Sequence, residues 1–313
     1  METRKVIGFG NSSFVISLPK GWLRKYNLQK GSQVYLKENG NGALELTAQF
    51  KDEEPVQKKI TISCEGKNQE RIQREIIASY IKDYNTIEVN GKSINKYEQT
   101  IRETVKNKLV AVEVIEQTKD KIVIGGFLDY KTISHEVLIK RMDILVRSIF
   151  YDIQRVKEEE LSDNIVQRDI DIDRLFFLIQ RTIKHFLENV TVPREKTVIL
   201  LKTWDLAHRL ERIADDLKRT GRFLKHIKNE GELLEDIITI VKGLEEDYTK
   251  TMKAEYTKDM VLAFNLSYRK GEVGKQCDDL YRRDWNKKWA PLITETLKDI
   301  SASTHRIARG VYS

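Results

Sequence analysis

The chain reads as a three-part protein. It has an N-terminal β module, a small α+β middle domain, and an all-α C-terminal half built from two three-helix repeats. Three observations predict this. Short apolar runs separated by turn residues fill positions 1–50, while strand-like and helix-like runs alternate over 58–128. From 132 to 313 the apolar residues recur at helical spacing, and Arg212-Ile213-Ala214 is echoed by Arg306-Ile307-Ala308.

In residues 1–50, Arg4 to Phe9 reads as a strand, Gly10-Asn11-Ser12-Ser13 as a turn, and Phe14 to Leu18 as a second strand. Pro19 stops the ladder and suits the first turn of a short helix, Lys20 to Tyr26. Gln33 to Leu36 and Ala43 to Leu46 flank the hairpin turn Asn39-Gly40-Asn41-Gly42. About fifty residues bury too little apolar surface to hold a fold alone, so the module should interleave with a second copy. Phe14, Ile16, Leu18 and Leu36 would then bury against that copy, and Trp22 reads as core.

Lys51-Asp52-Glu53-Glu54-Pro55 reads as a charged linker. Beyond it, Lys58 to Ser63 alternates as a strand, and Asn68 caps a helix carrying Ile72, Ile76, Ile77, Tyr80 and Ile81. Thr86 to Val89 is a strand, Asn90-Gly91 a turn, and Tyr97, Ile101, Val105 and Leu109 space a second helix. Strands at Val110–Ile115 and Lys121–Ile124 complete a βαβαββ order, a small α+β sandwich. It holds no catalytic or phosphate-cradling loop, which assigns it as a spacer, dimer or sensor-relay domain.

Leu138, Met142, Leu145, Ile149, Ile153 and Val156 mark the first C-terminal helix; Ile165, Ile172, Leu175, Ile179, Ile183 and Phe186 mark the second. Val192-Pro193 introduces the third, on which Leu206, Leu210, Ile213, Leu217 and Leu224 share one face. The second half begins with Leu234, Ile237, Ile238, Val241 and Tyr248. It continues with a helix carrying Met260, Phe264, Leu280 and Tyr281, interrupted at Gly271 and Gly274. Pro291 introduces its last helix, with Ile293, Leu297, Ile300 and Ile307.

The 313 residues carry a net charge of +7, and the pI is near 9.1, a balance that suits a partner such as nucleic acid. A charged fraction of 33% with four prolines points to a soluble, helix-rich chain. There is no run of about 18 apolar residues to insert in a membrane, and the N-terminus lacks a signal peptide's apolar core. Cys64 and Cys277 are far apart and read as free thiols in a reducing cytoplasm. No Ser/His/Asp or Cys/His motif accompanies them, so an enzyme is not expected.

Two features carry candidate chemistry. Between Met1 and Lys37, seven cations (Arg4, Lys5, Lys20, Arg24, Lys25, Lys30 and Lys37) face Glu2 alone, a net of +6 and most of the chain's excess. Glu211 and Asp215 lie at i and i+4 on the third helix, with both carboxylates on one face. Like charges at that spacing are either compensated by cations or useful for binding one. With Arg212, Lys218 and Arg219 close by, an ordinary i,i+4 pair of Asp215 with Arg219 on a solvated face accounts for the same residues.

The run FVISLPKGWLRKYNLQKGSQVYL, with its strand, Leu18-Pro19-Lys20, Trp22, short helix, and Leu28 and Lys30-Gly31 before a strand, resembles the AbrB/MazE/SpoVT DNA-binding module, a swapped-hairpin dimer. That resemblance implies a homodimer on double-stranded DNA, with Arg4, Lys5, Lys20, Arg24 and Lys25 as the contacting residues. Leu210-Glu211-Arg212-Ile213-Ala214-Asp215 resembles the LERIGD signature on the third helix of the PhoU family. Residues 167–175 also look like that family's second helix, and residues 132–313 resemble its whole six-helix domain of two three-helix repeats.

The PhoU resemblance implies that Glu211 and Asp215 ligate a divalent or trivalent metal ion. The matching second-half positions are His305 and Arg309, and a charged arginine has no lone pair to offer. Together the resemblances imply a cytoplasmic, non-enzymatic, DNA-binding regulator of phosphate uptake with a PhoU-like sensing part. A metal-binding adaptor on a phosphate-transporter ATPase, or on another phosphate-signalling protein, is the rival, its N-terminus serving only to dimerise.

Overall fold

The computed structural model describes residues 3–10, 12–38, 42–48, 58–156, 162–189 and 192–312. Asn11, residues 39–41 of the hairpin turn, and the 51–55 linker lie outside the described residues. By backbone contacts the chain divides into two compact units.

The N-terminal unit is two hairpins and a short helix. Strand β1 (Ile7–Phe9) pairs antiparallel with β2 (Ser13–Val15), opposing Ile7 to Val15 and Gly8 to Phe14. Gly10 makes the turn at φ 68°, a conformation that costs glycine nothing. Pro19 precedes α1 (Lys20–Lys25) at φ −61°, and the chain leaves that helix through Asn27 at φ 52°. Strands β3 (Tyr35–Glu38) and β4 (Leu44–Thr47) form the second antiparallel hairpin. None of the described residues 3–48 is buried. Phe14 is 77% exposed and Leu36 64%, as expected for half of an interleaved core.

The larger unit begins with a four-stranded sheet, order β5-β6-β8-β7, from β5 (Lys59–Ser63), β6 (Thr86–Asn90), β7 (Val112–Gln117) and β8 (Lys121–Gly126). Strands β5 and β6 run parallel, joined by α2 (Gln69–Ile81), while β8 is antiparallel to both β6 and β7. The Asn68 side chain caps α2 by accepting from the Arg71 N–H at 2.9 Å. With α3 (Glu98–Lys108), α2 seals a core that includes Ile72, Ile76, Tyr80, Ile101, Ile87 and Val89. In β6 the buried Ile87 and Val89 alternate with the half-buried Thr86, Glu88 and Asn90, which fixes its register.

Seven helices follow: α4 (His135–Gln154), α5 (Ser162–Asn189), α6 (Arg194–Ile227), α7 (Gly231–Thr257), α8 (Met260–Tyr268), α9 (Lys270–Asp284) and α10 (Ala290–Tyr312). Helix α4 packs on α5 and α7, and α10 packs on α7, α8 and α9. On α6, Leu210, Ile213, Leu217 and Leu224 are buried, each worth about 1.5–3 kcal/mol.

The interruption expected at Gly271 and Gly274 falls instead at Arg269, between α8 and α9. Both glycines lie inside α9, where each costs only about 1 kcal/mol relative to alanine. Arg269 is held at the break by Asp247 of α7 at 2.9 Å and Glu272 at 3.2 Å.

The sheet layer and the bundle meet through a buried polar joint. Arg181 of α5 is 1% exposed. Its Nη1 donates to the carbonyls of Tyr80 (2.9 Å) and Tyr84 (3.1 Å), and its Nε donates to the Tyr130 hydroxyl (2.9 Å). Its Nη2 meets Asp83 at 3.2 Å, and the other oxygen of Asp83 bonds His185 Nδ1 at 2.8 Å. Asp83 sits at φ 63°, a left-handed turn that aspartate tolerates.

Candidate nucleic-acid interface and carboxylate cluster

Arg4, Lys5, Lys20, Arg24 and Lys25 are all exposed in the N-terminal unit. Arg4 and Lys5 lead into β1, while Lys20, Arg24 and Lys25 lie on α1, the last two in its final turn. Cations there also complement the helix dipole. The Lys25 ammonium rests 5.5 Å from the centroid of the Tyr26 ring, itself 5.5 Å from that of Trp22. Trp22 and Leu23 of this short helix are half-buried. The acids described in the unit are Glu38 and Glu45 on the second hairpin. Such a surface attracts a polyanion by charge alone, since phosphate contacts carry most of the affinity and little sequence information.

In the larger unit, α5 and α6 bring four carboxylates together: Asp169 and Asp173 from α5, and Glu211 and Asp215 from α6. The expected Asp215–Arg219 pair does not form. Asp215 pairs instead with Lys218 at 2.6 Å, and Arg219 reaches Asp216 at 3.2 Å. The reason is rotational. Asp216 is on the buried face of α6, where it also accepts from Arg212, leaving Lys218 to bridge Asp215 and Asp169 (2.7 Å). Asp173 is neutralised from the sheet layer by Lys108 at 2.6 Å.

Glu211 forms no ion pair among the described residues. Burial, and then the charges of Asp215, Asp173 and Asp169, push its carboxyl up to about 7. The folded state therefore holds a proton that the unfolded chain releases near 4.5. The resulting stability is full below about pH 4.5 and is lost as pH rises through about 7. With chelator present, the wild-type melting temperature should fall between about pH 5 and about pH 8. Glu211→Gln should flatten that slope, and an equal slope in both proteins would place the proton elsewhere.

As a metal centre the cluster fits poorly. Among the described residues no three His, Cys, Asp or Glu side chains converge to hold an ion. The Lys218 ammonium lies between two of the carboxylates. In the second repeat His305 is buried, Arg309 is exposed, and the neighbouring Asp247 is engaged by Arg269. Cys64 and Cys277 are free and buried, and burial pushes the Cys277 thiol up to about 11, so Cys277 is not an activated nucleophile.

Sequence reasoning singles out none of Asp169, Asp173 and Lys108, and it reads Lys218 only as one of three cations near the Glu211–Asp215 pair. Asp169 and Asp173 repeat the i,i+4 spacing of Glu211 and Asp215, which is the one signal that could have found them.

Comparison with known proteins bears on both parts. Residues 9–60 match the family model of "Antidote-toxin recognition MazE, bacterial antitoxin". The structure resembles the crystal structure of PhoU from Pseudomonas aeruginosa with a TM-score of 0.51 and 16% identity, over 56% of this chain and 93% of that one. The helical half has the PhoU fold. At this identity the likeness is one of architecture. No curated protein matches the chain. Thus a MazE/AbrB-type module is joined in one chain to a PhoU-like bundle, with the α+β layer between them in sequence. No helix among the described residues is long and apolar enough to cross a membrane.

Proposed function

We propose that the protein is a cytoplasmic, homodimeric, non-enzymatic regulator that binds double-stranded DNA through residues 1–50 and controls phosphate uptake through its PhoU-like bundle. The observation that carries this reading is the coincidence of two properties in the MazE-type unit. Its apolar side chains lack a core within one chain, and its exposed cations form a set with no acid among the described residues 3–37. A second copy supplies the core and doubles the charge on one assembly. Genome-wide crosslinking in phosphate-replete and phosphate-starved cells tests it. Discrete sites near phosphate-uptake genes, with occupancy that changes on starvation, are expected. Absence of enriched sites under both conditions would leave the rival adaptor on a phosphate-transporter ATPase.

A second reading concerns Glu211 and Asp215. A carboxylate raised by burial and then by three like-charged neighbours, and without an ion pair among the described residues, is relieved by a bound ion. Magnesium, calcium, manganese or iron would suit its hard oxygen donors. Any such ion must compete with the Lys218 ammonium, so affinity is weak. Calorimetric titration with manganese should show Lys218→Met binding about tenfold more tightly than wild type, and no binding after Glu211→Ala with Asp215→Ala. Unchanged affinity in that double variant would return the cluster to a purely ionic joint between α5 and α6.

A further inference from the structure

Where α3, the start of β7 and α5 meet, a cleft of about 880 Å³ opens to solvent. Its charged lining is Arg102, Lys106 and Arg174 against Glu113, an excess of two positive charges. Arg102 is engaged by Glu98 at 3.1 Å and by Gln117. The other two carry no ion pair: among the described residues neither Lys106 nor Arg174 has a carboxylate partner.

Arg174 is the more informative. Its Nη2 donates to the Leu109 carbonyl at 3.3 Å, while its Nε is buried with no hydrogen-bond partner. Buried donors are nearly always paired, so an unpaired one on a residue that lines an open cleft is unusual.

The rest of the lining is apolar, with Leu109, Val112 and Val114 on the walls and Phe127 at the mouth, 65% exposed. The backbone here is also held in an uncommon conformation. Ala111 lies at φ 54°, and its carbonyl accepts from the Phe127 N–H at 2.8 Å. Strand β7, at the sheet edge, carries a register shift between Val114 and Glu116. Strained residues and bulges of this kind cluster at ligand sites.

We infer that this cleft binds a small organic anion, its carboxylate or phosphate head held by Arg174 and Lys106 and its apolar body laid on Leu109, Val112 and Phe127. The volume is that of a small-molecule site. A guanidinium offers such a head a planar fork, and a nearby lysine adds a point charge. The ligand would sit next to the α5–α6 cluster, because Arg174 follows Asp173, whose carboxylate is held by Lys108 at the end of α3. This inference stands apart from the DNA-binding reading.

Isothermal titration of the full-length protein with octanoate, octyl phosphate, inorganic phosphate and octanol tests it. One saturable site per chain is expected for octanoate, octyl phosphate or both, and the two heads tell a carboxylate ligand from a phosphate one. Arg174→Met should weaken that binding about tenfold or more. Lys106→Glu, at an exposed position that leaves folding untouched, should do the same and decides the matter if Arg174→Met fails to fold. Octanol or inorganic phosphate binding as tightly as octyl phosphate overturns the inference. So does the absence of a saturable site, or binding that survives both substitutions.

Discussion

Replacing Arg181 with Met lowers the stability of the larger unit by about 3–5 kcal/mol, the range for breaking a buried charge pair by removing one partner. The guanidinium is 1% exposed and answers four acceptors at once: the carbonyls of Tyr80 and Tyr84, the Tyr130 hydroxyl and the Asp83 carboxylate. Methionine fills much of the volume but takes a donor from the Tyr84 carbonyl, leaves the Tyr80 carbonyl with the Asp83 N–H at 3.0 Å, and leaves the buried Asp83 carboxylate with only Tyr130 and His185. Asp83→Asn together with Arg181→Met should recover part of the loss, since the uncompensated charge is then gone. Urea denaturation, combined with hydrogen exchange at β6, checks both. A midpoint for Arg181→Met equal to wild type would mean that the joint contributes nothing.

Phe14→Asp is expected to dissociate the proposed dimer and unfold the N-terminal unit, α1 included, while leaving α4 to α10 intact. In one chain Phe14 is 77% exposed, so an aspartate there meets only water and should be tolerated. Against a second copy the same substitution buries a charge opposite apolar side chains, a cost of several kcal/mol per copy. Sedimentation of wild type and variant separates the cases. Wild type should sediment as a dimer and the variant as a monomer, with nearly unchanged helical circular dichroism. A monomeric wild type would remove the second copy from the account of residues 1–50.

What the sequence revealed follows the range of the interactions involved. Helices of the bundle were legible because their apolar faces repeat every three or four residues over long stretches, as Leu210, Ile213, Leu217 and Leu224 do on α6. The start of β7 was less so. Val110 and Ala111 read as strand, yet Ala111 turns left-handed and the ladder begins at Val112. The Tyr80 hydroxyl donates to the Val110 carbonyl at 3.1 Å, a bond made across thirty positions.

The Glu211–Asp215 spacing and the cations Arg212, Lys218 and Arg219 beside it were visible, whereas the choice among those cations was not. Lys218 chooses Asp215 and Asp169 only once α5 is packed beside α6. Arg181 gave no signal at all, because within an amphipathic helix a buried arginine has the same spacing as a solvated one.

The measurement that bears most directly on the function is the salt dependence of DNA binding by the full-length protein. Wild type should bind duplex DNA with an affinity that falls steeply on a log–log plot against salt. Replacing Arg4, Lys5, Lys20 and Arg24 with Ala should weaken binding and lower the slope by about 0.9 for each phosphate no longer neutralised. The variant should remain dimeric, since all four side chains are exposed. Wild-type protein that retains no duplex DNA at low salt, or a quadruple variant with an undiminished slope, would contradict DNA binding by the N-terminal module.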